Sequence, residues 1–545
     1  MVRWRLVLAS VCSTAVWATS AVASGVDPYV AAARVDELLA KETYGGTQIQ
    51  GVVPAAQADD ETFLRRASLD LTGHPPTPEE VTALAIDSAA DKRAAAVERL
   101  LARKEFGENW ARYWRDVILY RRSEDRALLV SEAVVKFLAD ALNGDPHWDK
   151  IARRFITATG DVREAGETAI VMAQMGNAED TTAEVSRIFL GIQIQCAQCH
   201  NHPTDRWKLE QFHELAAFFP RIAVRALPKG EIRSFAVVSV DSERRNKGKK
   251  PDKPGKGALE HLMPDLNHPE REGKLMHPVF FVTGQRLETG LSDHERREKI
   301  AEWMTARNNR WFARAFVNRM WSELVGHGFY EPVDDIGPDR QCAAPHTLDY
   351  LADHFAGSHF DVKWLFRVIT STEAYQRESR SRASTESTPF VACAAERLRG
   401  DQLYNSLIAA LGIDDAPPEG RPNNPRAALN TPRGRLNATF GYDPSTRRDE
   451  IAGSIPQALF LMNAPELNRA IRANEPGTAL AQLLARSPQD DAVVEELYLR
   501  CLAREPKPPE METCLDYVRS GGQRAKAFED ILWALVNSTE FLNRK

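Results

Sequence analysis

The strongest constraint on how this chain folds is the period of its apolar residues, which is helical along most of its length. Trp110, Tyr113, Trp114, Val117 and Ile118 recur at i, i+3, i+4, i+7 and i+8, which puts one aromatic stripe on one helix face. Phe312, Phe316, Val317, Met320 and Trp321 repeat the pattern in the second half, and residues 348–355, 362–369 and 528–536 keep to it. Shorter faces run through Val134, Val135, Leu138 and Leu142, through Val185, Ile188, Phe189 and Ile192, and through Phe212, Leu215, Ala216 and Phe219. Thr77-Pro78-Glu79-Glu80 reads as a helix start with a capping box. Ser131, and Thr181 with Glu184, are read as further helix starts. Only residues 235–240 and 279–282 look like strands.

At 545 residues the chain exceeds what one ordinary core holds. The expected fold is therefore mainly α: a helical domain over 27–224, a small β-containing, basic connector over 225–285, and a second helical domain over 286–545.

Residues 1–23 read as a signal peptide. Arg3 and Arg5 make a basic start, residues 6–18 are mostly apolar, and Ala21-Val22-Ala23 offers small residues for cleavage. No later stretch has the apolar length of a membrane span, so a periplasmic, secreted or cell-surface protein is expected, with no integral span once the signal is removed. The basic run Arg244-Arg245-Asn246-Lys247-Gly248-Lys249-Lys250 has no interleaved aromatic residues, and the chain carries a formal charge of -6. A solvated loop, with no nucleic-acid partner, is the reading that follows.

The chemistry concentrates in Cys196-Ala197-Gln198-Cys199-His200. Two thiols three residues apart can add to the two vinyl groups along one haem edge, and the following histidine is placed to become the proximal iron ligand. Haem c is attached outside the cytoplasm, in keeping with the separate signal-peptide reading. The assignment is thus Cys196, Cys199 and His200 as haem c binding residues, with His200 on the iron. Met172 and Met175 precede the motif and are weighed for the distal face, where core filling is the simpler role. The same region admits a zinc site made by Cys196, Cys199, His202 and His213, or a disulfide between the two cysteines. Cys342, Cys393, Cys501 and Cys514 are even in number; Cys501 with Cys514 is the most local pair, and buried free thiols are the other reading.

Two blocks of sequence resemble a known pair of domains of unknown function. Residues 63–73 (Phe-Leu-Arg-Arg-Ala-Ser-Leu-Asp-Leu-Thr-Gly), followed by Pro75-Pro76-Thr77-Pro78-Glu79-Glu80-Val81, resemble the opening of the planctomycete-type cytochrome-like domain, PSCyt of the second type. Phe189-Leu190-Gly191, the cysteine motif through Pro203, Asp205, Trp207 and Ala216-Ala217-Phe218-Phe219 are similar to its close. The second half resembles the companion PSD domain of the first type. The match runs through residues 315–321, Pro332-Val333-Asp334-Asp335, Ile369-Thr370-Ser371 with Tyr375-Gln376, Gln457-Ala458-Leu459 with Asn463, and residues 534–541.

The resemblance implies a cytochrome-like protein that carries one haem at most and works in electron transfer, or as the redox partner of an associated enzyme of a sulfatase-like kind. Thr204 stands where many relatives have an aromatic residue. A non-redox structural, adaptor or polysaccharide-binding protein is the alternative, its cysteine cluster holding zinc or a disulfide. A hydrolase built on Asp334 and Asp335 is a third reading, set against simple salt-bridging of helix ends. His327, in Gly326-His327-Gly328, is read as a turn residue.

Overall fold

The computed structural model describes residues 25–44, 53–227, 234–241, 260–385, 388–413, 431–447, 451 and 453–545. The signal-peptide segment and the basic run at 244–251 lie outside the described residues. The fold is mainly α, with short strands near the middle of the chain. Among the described residues, no helix is long and apolar enough to cross a membrane.

The helical stripes become buried faces. Trp110, Tyr113, Trp114, Val117 and Ile118 are all buried on the helix Lys104–Leu119. Phe312, Phe316, Val317, Met320 and Trp321 are buried on Arg310–Val325. The two stripes meet: Trp114 stacks on Phe316 with ring centroids 5.9 Å apart, Trp148 sits 4.6 Å from Phe316, and Phe316 stacks on Phe355 at 5.1 Å. One hydrophobic core therefore runs from Ala31 to Phe390, joining helices on both sides of the connector. A second core takes residues from Leu398 to Phe541 and admits Leu69 from the first half.

The capping box at Thr77 forms as read, with the Glu80 amide donating to the Thr77 hydroxyl and the Thr77 amide to the Glu80 carboxylate. Two helix starts differ. Ser131 is the first residue of Ser131–Gly144 and caps nothing, because a 3-10 turn, Asp125–Val130, leads directly into the helix. The helix expected to start at Thr181 begins at Ala178, capped by Asn177, whose side chain accepts from the Asp180 amide at 2.9 Å. Thr181 and Glu184 are interior residues of that helix and are buried.

The strands serve as fasteners. Phe235–Ser239 pairs antiparallel with Ile222–Ala226 and Gly160–Asp161. Cys393–Arg397 lies between Ser379–Ser381 and the chain-terminal strand Asn543–Arg544. Val279–Phe280 pairs with Gln285–Arg286.

Charged residues bolt these layers together. The helix Asp60–Thr72 is buried along most of its length, and its arginines point into protein. Arg65 donates to the carbonyls of Cys501, Glu540 and Phe541. Arg66 donates to the carbonyls of Tyr375, Arg377 and Lys545. Asp70 accepts from the Tyr375 hydroxyl at 2.8 Å and from Arg544 at 2.9 Å. Buried backbone acceptors must be paired, so these side chains complete the hydrogen bonding of segments distant in sequence.

Asp36 makes a similar link, its Oδ1 accepting from the Glu373 amide at 2.9 Å. Burial raises its carboxyl to about 7. The folded state thus keeps a proton that the unfolded chain releases near pH 4, so stability falls as pH rises from about 4 to 7. Asp36→Asn keeps the acceptor and removes the charge. After allowance for its partial exposure, the variant is expected to be more stable than the parent by about 1 to 2 kcal/mol above pH 7, and equal to it near pH 4. Denaturant titrations at the two pH values check this; an equal difference at both would contradict the assignment.

Candidate functional site

The cysteine motif begins where a helix is forced to stop. Ala178–Leu190 ends at Gly191, which has φ 67°, and the amides of Gly191 and Ile192 turn back to the carbonyls of Arg187 and Ser186. A 3-10 turn, Ile194–Gln198, follows at once. Ile194 and Ala197 are fully buried and anchor the turn in the first core. In a 3-10 helix residues three apart eclipse, so anchoring Ala197 inward carries Cys196 and Cys199 together to the outer face. Both are exposed free thiols, and His200 beside them is exposed.

The imidazole of His200 has a defined role for each nitrogen. Its Nδ1 lies 2.7 Å from the Asn201 carbonyl oxygen, which can only accept, so Nδ1 carries the proton. In the neutral ring this contact puts the lone pair on Nε2, the tautomer an iron ligand needs. Two exposed thiols and an exposed imidazole thus stand side by side, which are the residue types that covalent haem c attachment requires.

The residues weighed with them are placed differently. Met172 is completely buried in the first core, and Met175 packs half-buried against it with φ 51°. His213 is buried and engages both of its nitrogens, Nε2 with the Gln198 carbonyl at 3.1 Å and Nδ1 with His261 Nε2 at 2.8 Å. His202 Nδ1 accepts from the Thr204 amide at 3.3 Å. Among the described residues, no three His, Cys, Asp or Glu side chains are grouped so as to hold a metal ion, and the set Cys196, Cys199, His202 and His213 is not drawn together. All six described cysteines are free. Cys501 is buried, and burial pushes its thiol up to about 12.

The second half holds the motif in place. The Ile336 amide donates to the Gly191 carbonyl at 2.7 Å. Arg340 donates to Thr204 O at 3.0 Å and Thr204 Oγ1 at 3.1 Å, while its Nε pairs with Asp335 at 2.8 Å. Thr204 is thus the point at which Arg340 grips the loop after the motif.

Asp334 is 1% exposed and is held by Arg187 at 2.8 Å and by Arg319. Arg187 also pairs with Glu184, and both arginines contact the Ser445 hydroxyl. With both oxygens engaged inside the protein, Asp334 has no access to substrate, and the hydrolase reading of Asp334 with Asp335 is set aside in favour of salt-bridging. His327 lies just past the helix end at Gly326, is buried, and contacts the Thr385 hydroxyl at 2.7 Å. Arg340, Asp335 as its partner, and His261 were not legible as parts of the site. Only contacts across the fold connect them to the motif.

These features define a mainly helical protein presenting a C-x-x-C-H turn at its surface. Residues 34–224 match the PSCyt2 family, a protein of unknown function (DUF1549), and residues 296–449 match PSD1, a protein of unknown function (DUF1553). The chain belongs to these families in that order, a PSCyt2 domain followed by a PSD1 domain. No curated protein and no solved structure gives a match.

Proposed function

We propose that this is an exported, mono-haem c-type cytochrome-like protein, with haem c joined to Cys196 and Cys199 and His200 Nε2 as the proximal iron ligand. The observation that carries the reading is the His200 Nδ1 contact to the Asn201 carbonyl, which leaves Nε2 free on an exposed imidazole beside two exposed thiols. Bound there, the haem supplies a one-electron couple. The protein's own residues present the thiols on the outer face of the turn and orient the imidazole through its Nδ1 contact to Asn201. The loop behind them is tied down through Thr204 and Arg340. An outer-face site suits electron exchange with a partner protein, which the family resemblance suggests is an associated, sulfatase-like enzyme.

The test is a denaturing gel, stained for haem peroxidase activity, of the full chain exported alongside a haem c maturation system. The parent band is expected to stain, and Cys196→Ala with Cys199→Ala to lose the stain completely. His200→Ala is expected to lower the yield of stained protein and to alter the visible spectrum of what forms. A folded, exported parent without stain would overturn the reading in favour of a non-redox adaptor with a surface dithiol or disulfide.

A further inference from the structure

Behind the C-x-x-C-H turn, a line of buried hydrogen bonds leads to the connector. It starts at the Gln198 carbonyl, which can only accept, so His213 Nε2 carries the proton of that 3.1 Å contact. Burial lowers the proton affinity of both histidines, that of His261 to about 3, so each ring is neutral and has a single N–H. His213 Nδ1 is then a lone pair, and the 2.8 Å contact is a donation from His261 Nε2. This leaves His261 Nδ1 as an acceptor 3.9 Å from Glu179 Oε1, a carboxyl whose pKa burial raises. One carbonyl in the motif thus dictates the tautomer of two side chains behind it.

His261 is itself firmly placed. Its carbonyl accepts from the Met276 amide at 3.0 Å. Its neighbour Glu260 is held by Arg221 at 2.9 Å and Arg296 at 2.7 Å, and Arg296 also donates to the Ala217 carbonyl, immediately after the helix that bears His213.

We propose that His213 and His261 are positioning residues that hold the C-x-x-C-H turn through the Gln198 carbonyl and so set how Cys196 and Cys199 are presented. The inference deepens the haem c reading and rests on it for its functional consequence, while the hydrogen bonds themselves act on the turn before any haem is attached.

The experiment uses the full chain, reduced and free of haem. Amide hydrogen exchange over residues 194–200 and the alkylation rate of the two exposed thiols by iodoacetamide are compared among parent, His261→Leu and His261→Gln. Leucine has no donor, so exchange in the turn is expected to rise about fivefold to tenfold and thiol alkylation to change with it. Exchange in the helix Lys104–Leu119 should stay unchanged. Glutamine places an amide N–H near the position of imidazole Nε2 and is expected to restore most of the parental protection.

Parental exchange in the leucine variant, or equal loss of protection in the leucine and glutamine variants, would overturn the proposal; the second outcome would assign the effect to packing. Should the leucine variant not fold, His261→Asn replaces it, since its amide is too short to reach His213 and protection must still be lost. The haem stain is scored separately. A parent that never stains defeats the haem reading alone, and unchanged exchange defeats the positioning role alone.

Discussion

Asp334→Asn is expected to cost about 3 to 5 kcal/mol of folding stability, the range for removing one partner from a buried ion network. Arg187 and Arg319 converge on this carboxylate with 3% and 2% of their side chains exposed. Once it is neutral, Arg187 retains Glu184 and the Val117 carbonyl, at 2.8 Å. Arg319 retains the Tyr113 hydroxyl at 3.2 Å and the Ser445 hydroxyl at 3.3 Å, with no carboxylate left among these contacts. An arginine cannot shed its proton to relieve the cost.

A paired change, Arg319→Met with Asp334→Asn, is expected to recover more than half of the loss, because it removes charge and counter-charge together while nearly keeping the volume. Urea denaturation of the three proteins measures both effects. A loss below about 1 kcal/mol in the single variant would show that water reaches the network and that its charges are screened.

Gly191→Val is the second large effect, expected to destabilise by about 2 to 5 kcal/mol through a left-handed backbone and overpacking acting together. Gly191 has φ 67°, where a β-branched residue is strained. A Cβ there lies 2.8 Å from Ile336 Cδ1 and 3.3 Å from Ala315 Cβ, both from the second half of the chain. Relief requires the buried Ile336 side chain to turn aside, which loosens the packing beside the hydrogen bond to the Gly191 carbonyl. Since the 3-10 turn starts three residues later, the same variant is expected to speed amide exchange over residues 194–200 more than over the helix Pro345–Gly357. Uniform acceleration across both regions would mean that Gly191 matters to global folding but not to the motif.

The N-terminal half shows how much local rules can read. The capping box at Thr77, the aromatic stripe from Trp110 to Ile118 and the strand near Phe235 appear as the sequence suggests, because each is set by residues within one or two turns of one another. Ser131 and Thr181 differ for the same reason in reverse. Both are good capping residues, but a preceding 3-10 turn and the stronger Asn177 cap moved the helix starts upstream.

Arg65, Arg66 and Asp70 were visible only as a motif. Their partners lie near residues 375, 501 and 540–545, and no period or spacing within the motif encodes contacts of such separation. His261 was hidden for a similar cause. It follows a Lys-, Pro- and Gly-rich stretch and carries no spacing relation to His213, so only the fold pairs them.

By itself, then, the sequence determined the helical class, the order of the two family domains and the adjacency of Cys196, Cys199 and His200, since these depend on short-range periodicity and on neighbouring residues. The tertiary structure decided that helices from both halves share one core, that Asp334 serves as a buried counter-ion, and that His213 hydrogen-bonds to His261 and the motif backbone. Those outcomes depend on which faces meet and on which charges lose their water, and neither is fixed until distant segments pack.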